Sequence, residues 1–265
     1  MKSKFVILER KDRVAWVTLN RPEVLNALDG PLLLALRAAL EAIARDQEID
    51  VVVLTGAGKA FCSGMDLKAL GQPRKAGEPD ALQVAVEVFD MLEALDRPVI
   101  GAINGYAITG GLELALACDL LVASENAVFG DTHARVGILP GGGDSQKLPR
   151  LVGLPRGKEM LFASRFVSAR EAEAWGLVSR VVPAEKLQEA VAELAGKISA
   201  NHQPTVRRLK ALVNQGRRLD LGSALMLERL EFHRGLQARR PEEVEERRPK
   251  VLKMGRQEAR KKGAR

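Results

Sequence analysis

Apolar positions along the chain fall into short β-branched runs separated by segments of helical period. Phe5 to Glu9 and Val14 to Leu19 flank a charged turn, predicting a β-hairpin that Asn20-Arg21-Pro22 closes off. Asp29 stands at a cap position with Pro31 behind it, so LLLALRAALEAIA should be a helix. Val51 to Thr55 reads as a buried strand, leading into GAGKAFCSGMDLKAL. Residues 71–80, GQPRKAGEPD, form a surface loop that is either a plain connector or a lid over a site. A helix from about Asp80 to Leu95 is stopped by Arg97-Pro98. Val99 to Ile103 is a second buried strand, broken at Asn104-Gly105, and Gly110-Gly111 open a helix. There follow a strand at Leu120 to Ala123, an extended piece at Ala127 to Gly130, and a Gly-rich loop that runs into a helix within DTHARVGILPGGGDSQKLPRLVG. Ser168 and Glu171 make a capping box for a helix ending at Gly176, and Leu177 to Val182 is a short strand. Beyond Pro183 the pattern is helical, with breaks near Asn201 to Pro204 and at Asp220. No internal repeat is visible. Strand and helix alternate up to about residue 182 and helices follow, which makes the chain an α/β core with a helical C-terminal region.

Composition sharpens this picture. Aromatic residues are only 4% of the 265, so packing must rest on Ala, Leu and Val. No apolar run reaches the roughly 18 uninterrupted residues that would span a bilayer, and the N-terminus lacks the apolar segment of a signal peptide. Cys62 and Cys118 are the only cysteines, with no CxxC spacing, so neither a disulfide framework nor a metal site is expected, and the predicted location is cytoplasmic. The net charge of +7 is concentrated after Arg247, where RRPKVLKMGRQEARKKGAR holds a single acid, Glu258. A solvated or frayed basic tail is the plain reading; help in binding a phosphorylated ligand is the sharper one. Nucleic acid is not expected as a partner, because the basic stretches carry no interleaved aromatics.

Chemistry concentrates in VIGAINGYAITGGLELALAC, residues 99–118. Glu113 is a lone carboxylate among leucines and alanines, costly to bury as an anion unless it is used. The helix start beside it offers free N–H groups. Val51 to Leu67, with Gly64-Met65 at its turn, repeats the outline of Val99 to Glu113. If the two strands are parallel neighbours, the N–H groups of Met65 and Gly110 can converge on one oxygen as an oxyanion hole. Other candidates are weaker. Ser63 has no GxSxG context, Cys62 reads as a small core residue, and Trp16 and Trp175 as core or interface. The glycines at 141–143 lack the Lys and Ser/Thr of a phosphate loop and read as flexibility.

In combination, AFCSGMDLKAL, NGYAITGGLELALACDL and FGDTHARVGILPGGG resemble the crotonase family, also called the enoyl-CoA hydratase/isomerase family. The resemblance implies a crotonase-like spiral of ββα units over residues 1–200 and a helical trimerisation region with its basic tail over 201–265. It implies a homotrimer, or a hexamer made of two trimers. The implied substrate is an acyl-CoA thioester, so coenzyme A arrives as part of the substrate and no prosthetic group is called for. Met65 and Gly110 then supply the two N–H groups, Met65, Asp66, Leu67 and Lys68 run along the acyl-CoA, and Glu113 is the first of two catalytic glutamates. His133 stands where the second glutamate belongs, able to transfer a proton nearer neutrality or to serve in binding. Asp131 could orient His133, and Asp144 is a further carboxylate nearby in sequence. The implied activity is hydration of a 2-enoyl-CoA. Alternatives are an enoyl-CoA isomerase, a hydrolase or decarboxylase of acyl-CoA, and a non-catalytic acyl-CoA- or RNA-binding member.

Overall fold

The computed structural model describes residues 3–71, 77, 79–238 and 240–263; most of the loop read over 71–80, and with it the lid, lies outside them. Strands β1 (Val6–Lys11) and β2 (Val14–Leu19) form the expected antiparallel hairpin. Helix α1 (Gly30–Arg45) starts where Asp29 caps it, its carboxylate accepting the Leu32 N–H at 2.9 Å. Next come β3 (Val51–Gly56), β4 (Ala60–Cys62), the single turn α2 (Leu67–Leu70) and α3 (Ala81–Ala94). Then β5 (Val99–Ile103), β6 (Tyr106–Ile108), α4 (Gly110–Leu116), β7 (Leu120–Ser124) and β8 (Val128–Gly130) repeat the strand–strand–helix order.

Two sheets result. The larger runs β1-β2-β3-β5-β7-β10 and the smaller β4-β6-β8-β9, where β9 is Val167–Ser168 and β10 is Arg180–Val182. Each repeat sends its long first strand to the larger sheet and its three-residue second strand to the smaller one. Pairing among β3, β5 and β7, and among β4, β6 and β8, is parallel. The turns after β4, β6 and β8 therefore emerge along one edge of the small sheet, where ligands collect in such arrangements.

Between β8 and β9 stand α5 (His133–Val136), α6 (Asp144–Val152) and α7 (Leu154–Ala163). The short α5 interrupts what the sequence reads as one glycine-rich loop. The capping box opens α8 (Ala169–Ala174) with both reciprocal bonds present. The strand expected over 177–182 is confined to the three residues of β10. A main core lies between the sheets, α1 and α3, while α9 (Leu187–Ser199) covers the other face of the large sheet against Trp16, Val53 and Ile100. Trp16 is thus a core residue; Trp175 is partly buried and flanked by Arg156 and Arg165.

The chain divides into two compact units, residues 1–210 and 211–265. Helix α10 (Gln203–Gly216) ends in the second, which continues as α11 (Leu221–Ala238) and α12 (Pro241–Gly263). The basic C-terminal stretch is thus helical through Gly263 rather than frayed, and its described side chains are solvent-exposed. Among the described residues, no helix is long and apolar enough to cross a membrane.

Candidate active site

Three turns build the site. The first follows β4. Leu28 donates to the Gly64 carbonyl at 2.8 Å and accepts from the Asp66 N–H at 2.9 Å, which turns the Met65 N–H to the opposite side. The second follows β6, where Gly110 opens α4 and its N–H has no acceptor within the helix. The two turns touch: a Cβ built on Gly110 would lie 3.6 Å from the Met65 nitrogen, and one on Gly64 would lie 3.4 Å from the Gly110 nitrogen. Two backbone donors are thereby set side by side. They leave from the short strands of the small sheet, whereas the sequence reading took them to leave directly from the long ones.

Thr109, just before Gly110, has φ of 53°, a region a β-branched residue rarely enters. Its hydroxyl is held by the Thr132 hydroxyl at 2.6 Å and the Thr132 N–H at 3.1 Å. This bridge ties the second turn to the third, which follows β8 and carries Asp131 and His133. Sequence reasoning missed it because two threonines 23 positions apart give no local signal.

Glu113 sits in the first turn of α4, only 4% exposed. Its Oε1 accepts the Gly142 N–H at 2.5 Å. That approach requires glycine, because a Cβ at 142 would lie 2.5 Å from the Phe89 ring and 2.8 Å from the Glu113 carboxyl carbon. The 141–143 glycines are therefore more than a flexible link. Burial pushes the Glu113 carboxyl above its ordinary range, and the Gly142 N–H and the His133 charge only partly oppose it.

The His133 Nε2 stands 4.0 Å from the Glu113 Oε2. On its other side Nδ1 meets the Asp131 Oδ2 at 2.7 Å, while the Asp131 Oδ1 accepts the His133 N–H at 3.0 Å. Asp131 is 1% exposed. Burial alone would lower the imidazole, but the hydrogen bond and charge of Asp131, with the charge of Glu113, hold it above 6.5. Burial likewise works to raise Asp131, and the hydrogen bonds and charge of His133 prevail to hold it low. The chemistry of this edge is a buried carboxylate facing an imidazole whose far nitrogen is fixed by a second carboxylate.

A cleft of about 450 Å³, counting its open mouth, is lined by Met65, Leu67, Leu70, Thr109, His133 and Ile138 among others. Of the predicted substrate-binding residues, Met65 and Leu67 thus border the cleft. The Asp66 carboxylate instead caps α2 and lies 3.4 Å from the Arg21 guanidinium. Lys68 lies on α2 beside these residues but outside the cleft lining. Ser63 borders the cleft with its hydroxyl donating to the Val24 carbonyl at 3.5 Å, and Cys62 is fully buried, its thiol pushed up to about 12 by burial, as a core residue should be.

A profile of the enoyl-CoA hydratase/isomerase family matches residues 9–249. The chain is similar to the probable peroxisomal enoyl-CoA hydratase 1 of Arabidopsis thaliana, with 42% identity over 83% of this chain and 82% of that one. It is 37% identical to the crotonyl-CoA hydratase of Syntrophomonas wolfei over 84% of this chain and 86% of the relative. Among solved structures, the enoyl-CoA hydratase of Bacillus anthracis superposes with a TM-score of 0.83 at 39% identity, covering 86% of this chain and 90% of that one.

Proposed function

The chain belongs to the enoyl-CoA hydratase/isomerase family, and from that premise we propose that it hydrates a 2-enoyl-CoA thioester, with Glu113 and His133 as the acid–base pair. The observation that carries this reading is the 4.0 Å gap between the Glu113 and His133 side chains, beside a cleft bordered by the Met65 and Gly110 turns. The thioester carbonyl oxygen accepts the Met65 and Gly110 N–H groups, which stabilise the negative charge that develops on it. One such donor typically contributes about 3–4 kcal/mol to a transition state. Glu113, as the anion, takes a proton from the water whose oxygen bonds to C3. The displaced π electrons pass to the carbonyl oxygen as an enolate, which then takes a proton at C2 from the His133 imidazolium. Glu113 returns its proton to the neutral imidazole, directly or through one water, and the cycle closes. Each positioned proton transfer contributes about 10²- to 10⁴-fold.

The Met65 to Lys68 segment runs along the acyl-CoA, and coenzyme A arrives with the substrate. The C-terminal helices hold a homotrimer, a reading supported by Leu221, Met226 and Phe232, which stand 60–76% exposed on α11. Two free cysteines suit a reducing compartment such as the cytoplasm.

Isomerisation is the second reading, favoured by one observation: an imidazole, not a second carboxyl, faces Glu113. Crotonyl-CoA and a 3-enoyl-CoA, offered separately, decide between them. Hydration of the first supports the proposal; conversion of the second to the 2-enoyl thioester, with crotonyl-CoA left unchanged, overturns it.

A further inference from the structure

Asp144 is the acid that the mechanism leaves unused. It is the first residue of α6, two positions after the glycine that binds Glu113, and it is fully buried. Neither of its carboxylate oxygens has a hydrogen-bond donor among the described residues. One of its carboxylate oxygens, one of Asp131 and a ring nitrogen of His133 all lie within 4.8 Å of one another. A carboxylate anion without donors, packed beside a second anion, is not a tenable buried state. The nearby ammonium group, Lys147 one turn along α6, is spent on Glu93 at 2.7 Å. A proton on Asp144 resolves the conflict, because the carboxyl then becomes a donor and Asp131 is the acceptor at hand.

We propose that Asp144 is a positioning residue: as the neutral acid it donates its proton to Asp131, which holds that carboxylate ionised and aimed at the imidazole of His133. The result is a buried relay, Asp144 to Asp131 to His133, built from the turn after β8 and the start of α6. It lets an imidazole stand where the resemblance calls for a glutamate, since a single donor divides the charge of Asp131 between two partners. The ionisation behaviour agrees: burial and the neighbouring charges of Glu113 and Asp131 all push Asp144 well above the usual carboxylate range, while Asp131 is held below it by His133.

The groups bearing on the imidazole are Asp131 after β8, Glu113 on α4 and Asp144 on α6, with Lys147 beyond Asp144. Arg135, on the same short helix as His133, is turned away to the Ser164 carbonyl at 2.9 Å. Asp144→Asn keeps a neutral donor at the position, whereas Asp144→Ala removes it and leaves the Asp131 charge undivided. The two possible roles therefore predict opposite signs.

The inference deepens the hydratase reading, and its main test does not depend on it. The chain has three histidines, His133, His202 and His233, so the His133 resonances can be assigned by their loss in His133→Gln. Their titration is followed by NMR in the unliganded protein. We expect the Asp144→Asn midpoint to match the wild type and the Asp144→Ala midpoint to rise by about half a pH unit. In crotonyl-CoA hydration, Asp144→Ala should lose about tenfold in kcat with little change in KM, and Asp144→Asn should recover most of that loss. A midpoint that falls in both variants would mean that Asp144 is an anion, and would overturn the proposal. So would midpoints unmoved in both, the mark of a packing role. So would one tightly held zinc ion per chain in the purified protein, lost on Asp144→Asn. Absence of crotonyl-CoA turnover in the wild type would strike at the hydratase reading and leave the titration result standing.

Discussion

In the proposed hydration Glu113 and His133 perform opposite halves of one proton exchange, and their surroundings set them apart for it. As the proposed base Glu113 works as an anion and is raised by burial, so activity should fall as the pH drops through a value above the ordinary glutamate range. As the proposed acid His133 works as a cation and is raised by Asp131 and Glu113 against burial, so activity should fall again as the pH rises through a value above the ordinary imidazole range. The kcat profile for crotonyl-CoA is therefore expected to be bell-shaped, its limbs belonging to the coupled pair. In His133→Gln the alkaline limb should vanish along with about 10²-fold of the rate; an alkaline limb retained in that variant would assign it to another group. Of these residues, Glu113 is legible in the sequence because a lone acid in an apolar helix demands a use. His133 becomes legible through the motif it interrupts. The Gly142 donor and the Thr109–Thr132 bridge are not, since both join segments distant in the chain and leave no periodic trace.

At the level of elements, the long strands and the helices show in the sequence because apolar runs of five or six residues and helical spacing each fill several periods. The second strands of the repeats, Ala60–Cys62, Tyr106–Ile108 and Val128–Gly130, are too short to show any period. They nevertheless form the sheet from whose edge the turns of the candidate site leave, which is why the closeness of Met65 and Gly110 reads only as a conditional from sequence. The same brevity hides the ββα repeat. The Gly142 turn makes a sharp prediction at this scale. Gly142→Ala forces a methyl group against Phe89 and the Glu113 carboxyl. We expect a loss of about 10²-fold in kcat with KM little changed, and about 1–3 kcal/mol less stability by urea unfolding. Near-normal kcat in a folded Gly142→Ala enzyme would show that the Gly142–Glu113 bond is dispensable.

Over the whole molecule, the composition shift near residue 182 correctly separates a mixed α/β portion from a purely helical one. Leu221, Met226 and Phe232 are exposed on α11 of the second unit, and burying such residues ordinarily contributes about 1.5–3 kcal/mol each. The proposed trimer supplies their cover: Phe232→Asp should reduce the molar mass measured by light scattering from three chains to one, and an unchanged mass would place Phe232 outside the interface. The central claim is that this fold hydrates an enoyl thioester through Glu113. Its most direct test is the rate at which the enoyl chromophore of crotonyl-CoA disappears with the wild type and with Glu113→Gln, an isosteric change that removes the base. We expect turnover by the wild type and a loss of about 10³-fold in kcat in the variant. Equal rates in the two enzymes would contradict it.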